Sequence, residues 1–117
     1  MKIIPILCCL ILSSPTVFSQ STVDMKQEAS RTFEVSDKAM NDAYRKLMGI
    51  LNEVGKKRLI EAQRAWIAYR DAQAGFDSHH FDGGTLEGLE QIGAMNMLTQ
   101  ERTKRLLGDF ERFESIY

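Results

Sequence analysis

Cysteine and proline are confined to the start of this 117-residue chain: Cys8 and Cys9 are its only cysteines, Pro5 and Pro15 its only prolines. Beyond residue 15 there is no thiol to form a disulfide or a thiolate metal site, so stability has to come from packing. No run alternates between apolar and polar residues and no Asn-Gly turn occurs, which argues against β-strands. Neither sign of charge dominates, with 15 Lys plus Arg against 16 Asp plus Glu, and no strongly basic patch points to nucleic acid. Internal repeats and low-complexity linkers are missing as well.

Catalytic groupings are equally sparse. Nucleophilic catalysis needs a Ser or Cys beside a positioned His, yet the only histidines, His79 and His80, are adjacent in a glycine-bounded segment that offers little to hold a base rigid. Glu87 and Glu90 stand three residues apart on a predicted helix, a spacing that reads as a solvated face rather than an acid/base pair. The chain is therefore expected not to be an enzyme and to need no cofactor.

The first nineteen residues read as a secretory signal. Lys2 precedes the apolar run Ile3–Leu12, which Ser13, Ser14 and Pro15 break, and Val17-Phe18-Ser19 supplies small or apolar residues where a signal peptidase reads, so the cut is expected after Ser19. The run is interrupted by Pro5 and falls short of the roughly twenty apolar residues that cross a bilayer, so no stable membrane anchor is expected. Cys8 follows Ile6-Leu7 rather than small residues, which disfavours a lipoprotein. Removal of residues 1–19 leaves 20–117 as one domain of 98 residues, with fourteen Lys plus Arg against all sixteen Asp plus Glu. A domain of that size buries about 60–65% of its unfolded surface, enough for one core with little margin. Its expected location is outside the cytoplasm, periplasmic or secreted.

Within 20–117 the pattern is helical, predicting an all-α, small antiparallel three-helix bundle: a helical hairpin plus a third helix. Ser21 or Thr22 is a candidate N-cap, and Met25, Ala29, Phe33, Met40, Ala43, Tyr44, Leu47, Leu51 and Val54 follow one helical stripe to Gly55. One helix over about 22–54 is expected, with an irregularity possible at Ser36-Asp37, whose side chains compete for backbone hydrogen bonds. Gly55 suits the helix end, and a second helix should run from about Lys56 to Phe76 and fold back antiparallel. Asp77 to Gly84 is the one real loop, and Thr85 then caps a third helix with Leu86, Leu89, Ile92, Met97, Leu106, Phe110 and Phe113 on its apolar face.

The densest signal lies in the second helix. Glu61-Ala62-Gln63-Arg64-Ala65-Trp66-Ile67-Ala68-Tyr69-Arg70-Asp71 carries the only Trp, and Ala62, Trp66, Tyr69 and Gln73 share one face by spacing. Trp66 and Tyr69 are expected to pack with Tyr44 inside the hairpin. Arg64, Arg70 and Asp71 read as an ion-pair network fixing helix register, and Asn41 as a hydrogen bond across the hairpin.

This stretch, with Asn41 to Leu47 upstream, Gly83-Gly84-Thr85, and Leu98-Thr99-Gln100-Glu101-Arg102-Thr103 downstream, resembles the LprI-like lysozyme inhibitor family over about residues 25–107. The resemblance implies an all-α fold and a binding role, and marks Asn41, Tyr44, Gln63, Arg64, Trp66, Tyr69, Arg70, Asp71, Thr99 and Arg102 as motif residues without assigning them a role; the residues themselves read as structural. It also marks a departure: relatives commonly carry cysteines where Ala74 and Ala94 stand, so a covalent staple between the second and third helices is missing here. Such links often contribute about 2–4 kcal/mol.

Three functions fit these residues. The first is an exported, non-catalytic binding protein that blocks a lysozyme-type cleft, with His79, His80, Phe81 and Asp82 as the binding segment. The second is an envelope interaction or oligomerisation module using Phe110, Phe113 and Tyr117 as an apolar stripe. The third is metal binding by His79, His80 and Asp82, although adjacent histidines seldom converge on one ion, so no metal is expected.

Overall fold

The computed structural model describes the backbone from Val17 and the side chains from Ser21 to the C-terminus; residues 1–16, which hold both cysteines and most of the expected signal, lie outside the described residues. The described chain is all-α: α1 Val17–Met48, α2 Glu53–Ser78, a 3-10 turn His79–Phe81, and α3 Glu87–Glu114. Among the described residues no helix is long and apolar enough to cross a membrane.

The three helices run up, down and up. Ser36 meets Asn96 and Lys46 meets Phe110, so α1 and α3 are parallel; Gln63 meets both Met40 and Arg102, and Arg70 meets Asp37, so α2 opposes both. The expected hairpin is present in direction and connection, yet its two helices are not the closest pair. α3 makes the close backbone approaches, to α1 and to α2, while α1 and α2 meet mainly through side chains. Gln63, Trp66 and Arg70 stand in the seam between α1 and α2, and side chains of that size hold two helix axes apart.

The boundaries correct the expectation at both ends of α1. Ser21 and Thr22 lie inside the helix and do not cap it. Its C-terminus is a turn at Gly49-Ile50, six residues before Gly55, because Asn52 starts a new helix: its Oδ1 accepts a hydrogen bond from the Gly55 N–H at 2.8 Å. That bond makes Gly55 the third residue of α2, the position an N-cap side chain reaches. Ser36 and Asp37 cause no break, since the Ser36 hydroxyl donates to Asn96 Oδ1 across the α1–α3 contact at 2.6 Å.

The core gathers toward the α1–α2 turn. Met40, Ala43, Leu47, Leu59 and Leu106 are buried together, and Tyr44, Met48, Ile50, Leu51, Trp66, Phe110 and Phe113 pack around them. Each large side chain sealed there contributes about 1.5–3 kcal/mol. Phe110 and Phe113 are thus absorbed by the bundle, with Lys46 Nζ 4.3 Å above the Phe110 ring. Only Ile116 and Tyr117 remain exposed in the tail, so the stripe that suggested an oligomerisation surface is largely core.

On α2 the buried stripe is rotated from the expected one. Leu59, Gln63, Arg70, Ala74 and Ser78 are buried with Trp66 half-buried, whereas Ala62 is exposed and Tyr69 is 53% exposed. A shift of one residue turns a helix face by about 100°, and an Ala-rich helix with Arg70 on its buried side and Arg58 and Arg64 on its exposed side gives hydrophobicity little to discriminate by. Ala74 and Ala94 are both buried. The antiparallel register set by Gln63–Arg102 places them within about one turn of each other across the α2–α3 contact.

Candidate functional site

Two regions gather the residues singled out above: the connection between α2 and α3, and a polar seam between α1 and α2 floored by α3.

The connection is shorter than the expected loop, because Asp77 and Ser78 complete α2. Phe76, His79 and His80 form a ladder of rings, with centroids 5.2 Å apart for Phe76–His79 and 3.8 Å for His79–His80. The His79 Nδ1 contacts the Phe76 carbonyl, which pins the first imidazole to the end of α2. After the turn, Gly83 takes φ +74°, a conformation glycine adopts without steric penalty. Its N–H donates to Glu87 Oε2 at 2.9 Å, so a carboxylate in the first turn of α3 reaches back to the connection. Thr85 does not cap: α3 starts after Leu86, with no side-chain cap. His80, Phe81, Asp82, Gly84, Thr85 and Leu86 line a shallow open depression of about 300 Å³. His79, His80, Phe81 and Asp82 are all exposed. Among the described residues no group of three His, Cys, Asp or Glu side chains is arranged to hold a metal ion.

The seam brings together Gln63, Trp66, Arg70, Asp71 and Arg102, and adds Asp37, which sequence reasoning did not single out. Arg70 is 8% exposed, donates through Nε to Asp71 Oδ1 at 2.9 Å, and approaches Asp37 with Nη1 at 3.8 Å. Its guanidinium carbon lies 5.4 Å from the Trp66 ring centroid and 5.5 Å from that of Phe33. A nearly buried cation with two carboxylates and two aromatic faces is a satisfied one. The anticipated network therefore exists with Asp37 as its third member. Arg64 is on the outside and makes no ion pair among the described residues. Asn41 donates to Asp37 Oδ2 along its own helix at 3.3 Å, steadying that carboxylate rather than bridging the hairpin. No spacing rule could have found Asp37, whose role depends on the register of two helices.

Arg102 enters the seam from α3. Its Nε donates to Gln63 Oε1 at 2.9 Å and its guanidinium carbon is 5.7 Å from the Trp66 ring centroid. Burial pulls its pKa below the ordinary arginine value, with Asp109 acting against that and Arg105 with it. Gln63 is itself buried and its Nε2 donates to Met40 Sδ at 3.6 Å, so one side chain ties all three helices at this level. Thr99, one turn before Arg102, is fully buried, and its Oγ1 has no hydrogen-bond partner among the described residues.

An uncharacterized protein of Rhizobium meliloti (strain 1021), R02472, is 30% identical over 102 aligned positions, covering 74% of this chain and 71% of the relative. No solved structure matches the chain. Residues 15–106 match the family described as lysozyme inhibitor LprI. That span takes in α1, α2, α3 as far as Leu106 and every motif residue of the seam, and the chain belongs to the LprI lysozyme-inhibitor family.

Proposed function

We propose that this protein is an exported, non-catalytic inhibitor that binds a lysozyme-type glycosidase and blocks its cleft. Family membership carries the reading, and the exposed segment His79, His80, Phe81 and Asp82 supplies a contact surface of suitable chemistry. A glycosidase cleft presents paired carboxylates and polar sugar subsites. Two imidazoles beside an aromatic ring offer donors for the carboxylates and an apolar anchor for a subsite. The ring ladder from Phe76 to His80 limits the freedom of the segment before binding, which lowers the ordering cost of association. The bundle beneath supports that segment.

Export rests on the residue 1–19 pattern, with periplasmic or secreted placement following from it. Mass spectrometry of the protein recovered outside the cytoplasm should give an N-terminus at Gln20; a retained Met1 would remove this part of the reading. Inhibition is tested by cell-wall hydrolysis assays with several lysozyme types and the purified protein. The combined variant His79→Ala/His80→Ala/Phe81→Ala should keep the helical circular dichroism and lose inhibition by at least about tenfold, the scale on which interface anchors act. Unchanged hydrolysis at a large excess of the parent protein would refute inhibition, and undiminished inhibition by the triple variant would move the contact surface elsewhere.

A further inference from the structure

We propose that the α1–α2 seam holds a recognition site for a carboxylate, built on the guanidinium of Arg102 above Trp66. The arginines of this chain divide sharply. Arg31, Arg45, Arg58, Arg70, Arg105 and Arg112 each reach a carboxylate within 4 Å, and Arg64 is exposed to water. Arg102 alone is partly withdrawn from solvent with a neutral hydrogen-bond partner only, the Gln63 carbonyl oxygen on Nε, while the Asp109 carboxylate that acts on it from a distance is itself paired with Arg105 and Arg112. Its two Nη groups donate to nothing among the described residues, and residues 1–20 contain no Asp or Glu that could serve them. A guanidinium carries five N–H donors and binds a carboxylate through a planar, two-pronged contact, so most of its capacity is unspent.

The surroundings favour an incoming anion at this cation and not at its neighbour. Arg70, on the same Trp66 ring, already has Asp37 and Asp71. Trp66 and Gln63 hold the Arg102 guanidinium in place, so little side-chain freedom is left to lose on binding. Partial burial lowers the local dielectric, which strengthens a charge pair that completes it. The ligand class is a carboxylate, free or carried by an acidic side chain of a protein partner. The site is separate from the His79–Asp82 segment and does not depend on a lysozyme being the partner.

Trp66 is the only tryptophan, so its emission reports on this site directly. Purified protein titrated with glutarate, and separately with a capped Glu-Glu dipeptide, should show a saturable change in Trp66 emission that sodium chloride at equal ionic strength does not reproduce. Tighter binding of the dipeptide than of glutarate identifies a protein-borne carboxylate, and the reverse a free small acid. Arg102→Gln should weaken either response by at least about tenfold, as loss of a charge-assisted pair does, while Arg64→Gln leaves it intact. Gln63→Glu provides an independent check, because it places a carboxylate on Arg102 from within and should abolish the response in a folded, equally or more stable protein. A response identical in Gln63→Glu and the parent, or none beyond that to chloride, overturns the proposal.

Discussion

Toward the α1–α2 turn, Met40, Ala43, Leu47, Leu59 and Leu106 form a dry cluster sealed by Phe110 and Phe113, whereas toward the α2–α3 connection the interior holds Ser36, Arg70, Ala74, Ser78 and Ala94. One half is held by apolar volume. The other is held by small residues that let helices approach and by polar groups that need specific partners. Apolar burial is non-directional and tolerant of detail, while a buried polar group stabilises only when its hydrogen bonds are met. Stability should therefore concentrate at the first end; the exposed His79–Asp82 segment lies at the second, and the Gln63–Trp66–Arg102 part of the seam stands between them, against Met40 of the apolar cluster.

The sharpest way to break this comparison is Leu106→Ala. Leu106 is fully buried in the apolar half, and its truncation should cost about 2–5 kcal/mol in urea denaturation, against a change within about 0.5 kcal/mol for Phe81→Ala at the exposed connection. Equal losses would erase the distinction. Arg70→Met comes next, at about 1–3 kcal/mol: it strands Asp37 and Asp71, but both carboxylates are substantially exposed and can turn to water, which limits the penalty. A double-mutant cycle with Asp71→Asn should return a coupling near the lower end of that range.

A smaller effect separates the two connections. Asn52→Ala removes the side-chain cap of α2 and should cost about 1 kcal/mol, while Thr85→Ala should be close to silent because Thr85 caps nothing. A larger loss at Thr85 would show that its hydroxyl does cap α3. Smallest of all is Thr99→Val. It replaces a buried hydroxyl that has no partner with a methyl of similar shape, so thermal unfolding should show no loss and a gain of up to about 1 kcal/mol. A clear loss would place a hydrogen-bonded water on that oxygen.

Helix number, order and rough extent were legible in the sequence, because periodicity and the absence of strand signals are local properties. Helix ends were less so. Gly55 looked like a terminator, yet Asn52 captured its N–H and moved the turn back to Gly49. Of the motif residues, Trp66 packs beside the core and Arg70 pairs with Asp71, while Tyr69 turns outward, Arg64 is solvated and Asn41 bonds along its own helix. Exposure of His79, His80, Phe81 and Asp82 was readable from the paired glycines beyond them.

The order of residues by itself determined an all-α chain of three helices, a near-neutral surface and a core without disulfides beyond residue 15, since each follows from composition and from interactions within a few turns. Only the tertiary structure decided that α3 packs closest to both other helices, that Asp37 completes the Arg70 network and that Arg102 is left with a neutral partner. Those outcomes depend on the rotation and register of helices whose contacting residues are 23 to 64 positions apart, a relation that no local pattern encodes.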